Sequence, residues 1–555
     1  MTASRFLSLS LVLWALSAAG CGNAVLGVQL QLVTKACPGA LTGDAGHDPA
    51  AGVTELRIRV TGDNIAPILT TVPFSSGGAQ IPNVPIGSNR RVTVEALKGG
   101  LLRARADSGP FEAVGQGDIK LTLFLRVVDA FTLAGDAAGA TCTQMAFKRA
   151  GHAMALLPDG KVLITGGFDL ASGQLVPHSE AEIFDPATGQ FSQAAPARFQ
   201  RSGHAALSVQ VGPAGGGVLL LGGEGPAPSG GGAPVKPLEL YSSSGWSTIQ
   251  PSSSSQAREH QAAAVDARTG YALLAGGQSG PDSGQAPTVL TSLSYYDPQS
   301  GAVKDSATLL PKPLTDAVAV ARVNSVRSGP SQGGVVLVGG RDGTLHPSNQ
   351  ISGLIWRDTS NDFWNDSTFA TGPVSVLPTP RVKHVAVRLG CSKNISGCLA
   401  QADDDTVLTA GGVTAEVDNN DYSSATDAVT IIDSGQQYVA DVAKLVQARA
   451  DSCAAVLEDG SVLIAGGAWK DGNGLHSARF VDLVVPAGRA TTVRNLMGPA
   501  QGDWALQQGR TRAACLRLRD GSVLVTGGLQ YPEGGGTPTV LQSAEIYTPV
   551  GPAQK

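Results

Sequence analysis

Seven times along the chain an apolar, largely β-branched run ends in two consecutive glycines. The copies close at Gly166-Gly167, Gly222-Gly223, Gly276-Gly277, Gly339-Gly340, Gly411-Gly412, Gly466-Gly467 and Gly527-Gly528, with runs such as KVLITGG, SVLIAGG and SVLVTGG. Successive copies lie 56, 54, 63, 72, 55 and 61 residues apart. Self-similarity at such a period means a repeat architecture, and β-branched residues before a paired glycine mean that its unit is built of strands. A four-stranded antiparallel sheet with three hairpins uses about that much chain, so seven copies predict seven small sheets.

Other residues hold position around each run. Upstream, an arginine opens the preceding strand in RAGHAMALL (Arg149), RSGHAAL (Arg201), REHQAAAV (Arg258), RVKHVAV (Arg381), RADSCAAV (Arg449) and RTRAACL (Arg510). Asp159-Gly160, Asp459-Gly460 and Asp520-Gly521 are hairpin turns into the glycine strand. Downstream, AEIFDPATGQF, LELYSSSGW, SYYDPQSGAV and AEIYTPVG each carry a strand ending in an aromatic, then a turn. This combination resembles the kelch repeat over about Met145 to Gly551, although the fourth and fifth copies are degraded. The resemblance implies an all-β chain: a seven-bladed kelch-type β-propeller over 131–550. The last copy stops after its third strand, so a strand near Thr141 to Phe147 is expected to complete that blade and remove a free sheet edge. Residues 21–130 lack the repeat. Their alternating runs GVQLQLV, TELRIRV, RRVTVEAL and KLTLFLRVV predict a small antiparallel β-sandwich, similar to immunoglobulin-like or prealbumin-like modules.

The N-terminus places Arg5 before an apolar stretch and a run of small residues ending in Ala18-Ala19-Gly20-Cys21. Residues 1–20 read as a secretory signal too short to span a bilayer. The final four residues resemble the bacterial lipobox, which implies cleavage before Cys21 and a lipid on its thiol. Gly22 and Asn23 follow with no aspartate directly after the cysteine. In a Gram-negative cell that resemblance implies the outer membrane. Export permits disulfides among the six remaining cysteines. Cys391 and Cys398 enclose a short loop, Cys453 and Cys515 occupy near-equivalent places in successive repeats, and Cys37 with Cys142 follows by elimination.

The search for chemistry finds no convergent set. Net charge is −5 with no basic cluster, so a nucleic-acid partner lacks its electrostatic footprint. His152, His204, His260 and His384 recur as strand-opening residues and read as hydrogen-bonded within their own blades. Some kelch relatives are copper oxidases with a Tyr–Cys cofactor, but no matching tyrosine and histidine set occurs, and no metal or cofactor is expected. Gly329-Pro330-Ser331-Gln332-Gly333 fits a hydrolase signature in letters only, because a β-run follows where a helix is required. Asp403-Asp404-Asp405 and the group from Asp418 to Asp421 do not match a spaced calcium loop.

A surface remains. The segments after the double glycines vary while the strands do not: Phe168, Asp169, Glu224, Gln278, Arg341, Asp342, Trp469, Lys470, Asp471, Gln530 and Tyr531. Variable segments on a rigid scaffold are where recognition is placed, and Trp469 and Tyr531 suit a sugar ring or a protein contact. The sequence therefore points to a non-catalytic envelope lipoprotein that binds a protein or glycan through propeller loops and meets the membrane through its lipid. The alternative is a carbohydrate-active propeller enzyme, an oxidase or an isomerase or lyase, with its site at the channel mouth. Expression with radiolabelled palmitate tests the anchor: label should enter the wild-type chain and be lost in Cys21→Ser.

Overall fold

The computed structural model describes residues 25–551, apart from 35–47, 75–82, 115–117, 137–140, 212–214, 227–231, 252–256, 281–286, 323–332, 371–373, 391–405, 416–420, 435–436, 488, 497–504 and 533–535. The signal region with Cys21, Cys37, the Cys391 and Cys398 loop, Ser331 and Asp403 to Asp405 all lie outside the described residues. Among the described residues no helix is long and apolar enough to cross a membrane.

Each diglycine run forms the second strand of a four-stranded antiparallel sheet. Blade 1 comprises Ala153–Leu156, Val162–Thr165, Ala181–Asp185 and Gln190–Ala194. Five further blades follow with first strands at Ala205–Val211, Ala262–Val265, Val318–Arg322, Val385–Arg388 and Cys453–Val456. Blade 7 takes Ala514–Arg517, Val523–Thr526 and Ala544–Thr548 from the C-terminal end of the chain. First strands of successive blades touch one another, and that of blade 7 returns to that of blade 1, so the seven edges meet around one axis. The second strands are buried along their length, which explains their continuous rather than alternating apolar reading. Hydrophobic clusters form between neighbouring blades: Leu219 and Leu221 of blade 2, for instance, pack with Ala272, Leu274 and Tyr296 of blade 3.

The strand that completes blade 7 is Ala130–Leu133, not the expected segment near Thr141. It pairs antiparallel with Ala544–Thr548 and sets Phe131 at a tilt against Tyr547, ring centres 5.3 Å apart, while Asp129 just before it accepts from the Tyr547 hydroxyl at 2.9 Å. The Thr141 region lacks the alternating apolar residues for a full strand and contributes only isolated bridges, Cys142 to Gly135 and Gln144 to Ser543. The N-terminal region is a six-stranded sheet, with Gly87–Lys98 at its centre, facing a second layer in which Val28–Val33 and Ile119–Phe124 run parallel. It is therefore not wholly antiparallel. Leu30, Leu32 and Leu123 of one layer share a core with Ile58, Val60 and Val94 of the other. This module meets the propeller at the turns of blades 6 and 7, where Arg91 donates to Glu458 at 2.7 Å and to the Asp520 carbonyl at 3.2 Å.

The recurring arginine is the joint of the ring. Arg149 is fully buried and donates to the Gly166 carbonyl and to Glu182 on the third strand, each at 2.7 Å. Arg201 with Gly222 and Glu239, Arg449 with Gly466 and Asp482, and Arg510 with Gly527 and Glu545 repeat the arrangement. The carbonyls of these four arginines, in turn, accept from the second glycine of the preceding blade: Gly528 to Arg149, Gly167 to Arg201, Gly412 to Arg449 and Gly467 to Arg510. The glycines are required sterically: Gly166 has φ +57°, and a Cβ there would lie 2.3 Å from the Arg201 carbonyl oxygen. Blades 3 and 5 keep the arginine but place Ser294 and Thr430 at the acid's position, and blade 4 has Leu314 in place of the arginine.

The strand-opening histidines bond to the preceding blade, which corrects the expectation that each serves its own. His152 pairs with Thr526 of blade 7 at 2.7 Å and His204 with Thr165 of blade 1 at 2.9 Å. Burial pushes both imidazoles well below their usual titration range, helped by the neighbouring arginines. Cys453 and Cys515, side by side on the first strands of blades 6 and 7, form a disulfide as expected. Cys142 is also disulfide-bonded, to a partner outside the described residues.

Two stability measurements follow. Glu545→Gln leaves the Arg510 charge buried without its partner and should cost about 3–5 kcal/mol in urea unfolding. Replacing both residues by apolar side chains of similar volume should recover most of that loss. The disulfide closes a loop with a sequence separation of 62, and its removal by Cys453→Ala with Cys515→Ala should cost about 4 kcal/mol on the loop-entropy model.

Candidate binding site at the axial mouth

Two residues after each joint position, the chain adopts a left-handed backbone conformation in every blade: Gly151, Gly203, His260, Asp316, Lys383, Asp451 and Arg512, all with φ between 51° and 61°. This geometry aims a backbone N–H at the preceding blade. Gly203 donates to Gly151 at 2.9 Å, Asp316 to His260 at 2.8 Å, Asp451 to Lys383 at 2.9 Å, Arg512 to Asp451 at 3.1 Å and Gly151 to Arg512 at 3.0 Å. The result is a belt around one end of the axis. Glycine satisfies the belt without strain in blades 1 and 2, whereas an L-residue there costs of order 1 kcal/mol. Five blades nevertheless present a charged or ionisable side chain. The belt alone does not explain these five residues.

A second position behaves similarly. The first residue after each diglycine bridges to the residue following the joint position: Ala150 with Phe168, Ser202 with Glu224, Glu259 with Gln278, Thr315 with Arg341, Val382 with Val413, Ala450 with Ala468 and Thr511 with Leu529. In blades 1, 5, 6 and 7 these pairs are apolar or nearly so. Blades 2, 3 and 4 carry Glu224, Glu259, Gln278 and Arg341 instead.

The side chains form two sectors. In blades 2 to 4, His260 Nδ1 pairs with Asp316 at 2.8 Å, and Asp316 also accepts from Arg341. Gln278 donates to Glu259 at 2.9 Å, and ligand atoms of Glu224, Glu259 and His260 all lie within 4.8 Å of one another. Burial works against the His260 charge, but Asp316 and Glu259 outweigh it and hold the imidazole up to about 9. Burial likewise opposes ionisation of Asp316, and His260 with Arg341 overcomes it, leaving that carboxyl at about 2. Glu224 is pushed up by burial and then by the like charge of Glu259. In blades 5 to 7, the buried Tyr422 hydroxyl donates to Asp451 at 2.6 Å, Arg512 donates to Asp451 at 3.2 Å, and Lys383 sits 4.7 Å from the Tyr422 ring centre. Burial, followed by the Asp451 charge, drives the Tyr422 phenol well above its ordinary range.

The residues singled out from the sequence are dispersed around this mouth. The segments after the diglycines pair with themselves as two-stranded ribbons in five blades. Phe168 is buried in a cluster with Ala150, Leu529 and Val540, so it is packing and not a contact surface. Arg341 is buried with Asp316, and Asp342 caps its own turn through Thr344 and His346. Asp169 accepts from the Leu170 N–H. Lys470 and Asp471 are exposed at a hairpin end, with Asp471 held by His476 at 2.9 Å. Trp469 stacks on His476 at 4.9 Å and leans on Phe480 at 5.5 Å. Tyr531 is half-buried, and burial pushes its phenol up against the opposing charge of Arg512. His260, grouped in the sequence with the other three histidines, is one place out of register: Gln261 occupies their position and bonds to the Leu221 carbonyl of the preceding blade. Asp316, Lys383, Tyr422, Asp451 and Arg512 went unread, although the second place after the arginine spells Gly, Gly, His, Asp, Lys, Asp, Arg once blade 4 is aligned on Leu314.

No family model matches the chain, and no curated protein matches it. Among solved structures, YjhT is similar at 13% identity, with 63% of this chain and 99% of that chain covered and a TM-score of 0.42. A fungal alcohol oxidase of the AA5 family, in complex with copper, is similar at 15% identity, with 74% and 78% covered and a TM-score of 0.47.

Proposed function

We propose that the chain is a kelch-type lipoprotein of a Gram-negative outer membrane, anchored through Cys21, that binds a glycan at the axial mouth without transforming it. The observation that carries this reading is the belt: five blades hold strained left-handed L-residues where two others show that glycine suffices. Strain kept at one level of a repeat scaffold supports a role for the side chains displayed there. Carboxylates of Glu224, Asp316 and Asp451 stand around the axis together with the cations of Arg341, Lys383 and Arg512, a set that can both accept from and donate to ring hydroxyls. Tyr531, half-buried beside Arg512, supplies an aromatic edge.

Glycan-array capture by the mature protein tests this, with activity assays on any sugar retained. Lys383→Gly should keep or slightly raise thermal stability, by up to about 1 kcal/mol, while weakening capture about tenfold, equivalent to about 1.4 kcal/mol. Tyr531→Ala should weaken it comparably. Capture indifferent to both changes would remove the mouth as the binding site, and turnover of a retained sugar would replace this reading with the enzymatic one.

A further inference from the structure

We propose that Glu224, Glu259 and His260 hold one divalent transition-metal ion at the axial mouth, between blades 2 and 3. This inference does not depend on glycan binding.

The donors come from two places in the scaffold: Glu224 follows the diglycine of blade 2, and the adjacent Glu259 and His260 lie on the approach to the first strand of blade 3. Their ligand atoms are mutually within 4.8 Å, a span that small side-chain adjustments reduce to the spacing of donors sharing one ion at about 2.0–2.2 Å. Glu259 is only 7% exposed. One of its oxygens accepts from Gln278, and the other has no hydrogen-bond partner among the described residues. The half-buried Glu224 carboxylate has none among them either. Two facing carboxylates left in this way repel each other and are poorly solvated, a condition that a shared cation relieves.

Nothing in the scaffold demands them. The equivalent bridge in blade 5 is Val382 with Val413, and in blade 6 Ala450 with Ala468.

The surroundings supply outer support. His260 Nδ1 is engaged by Asp316, which Arg341 holds in turn, and Gln278 fixes Glu259. A carboxylate on one imidazole nitrogen sets the tautomer in which the other nitrogen is the ligand, as is usual behind metal-bound histidine. Two carboxylates with an imidazole favour Mn²⁺ or Zn²⁺ over Ca²⁺ and Mg²⁺, which take oxygen ligands.

The test uses the mature protein, stripped with chelator and titrated separately with Zn²⁺ and Mn²⁺ by calorimetry and by metal analysis after dialysis. One ion per chain is expected for at least one of the two metals. Glu224→Gln and His260→Asn should each weaken binding at least about tenfold, and Asp316→Asn by about tenfold through loss of the outer support. Asparagine is chosen at 260 because it tolerates the left-handed backbone, and Glu224→Gln changes a half-buried side chain, so both variants should keep the wild-type melting temperature without metal. Failure of both metals to bind saturably at one per chain would overturn the site. So would binding that Glu224→Gln and His260→Asn leave unchanged in folded protein.

Discussion

The ring depends on what a buried arginine does with both its ends. Its guanidinium reaches the first glycine carbonyl of its own blade, and its backbone carbonyl receives the second glycine N–H of the blade before. A single residue type therefore fixes a sheet internally and fixes the angle to its neighbour. The desolvation of so many guanidinium groups is offset in blades 1, 2, 6 and 7 by an acid on the third strand, which also accepts a loop N–H, as Glu182 does from Ala146 at 2.6 Å. In blades 3 and 5 carbonyls and hydroxyls share the offset with an acid on the fourth strand: Arg258 bonds to Gly276 and Ser292 and feels the charge of Asp305, and Arg381 pairs with Asp441 at 3.7 Å. Such charges contribute orientation more than net stability, because their interaction energy is largely spent on leaving water.

The blades that lack that third-strand acid are 3, 4 and 5, and blades 3 and 4 hold most of the carboxylate and imidazole cluster at the mouth. Blade 4 has lost the arginine altogether and keeps only the backbone bond, from Gly277 to the Leu314 carbonyl. Ordering is thus strongest on one side of the ring, and the polar departures from the repeat gather on the other. This division accords with the rule that proteins break local regularities where they act and compensate elsewhere.

Much of the fold was legible because its determinants are local and repeated. Diglycines, buried β-runs and the paired cysteines at 453 and 515 mark sister strands directly. The closing strand was misplaced because AFTL at 130–133 is four residues long and resembles any short edge strand. Only its pairing with a segment at the other end of the chain distinguishes it. The mouth was harder to read for a different reason. Its residues are defined by backbone conformation, and no residue type announces that His260 and Arg512 occupy the same left-handed step as Gly151. An alignment of the copies on the arginine, not on the histidine, brings them into one column.

The latch between Ala130–Leu133 and Ala544–Thr548 joins the beginning and the end of a long polypeptide. Synthesis delivers early segments first, so the N-terminal edge strand must wait, unpaired, until Ala544–Thr548 has been made. Blade 7 can therefore be completed only after that C-terminal strand has been made.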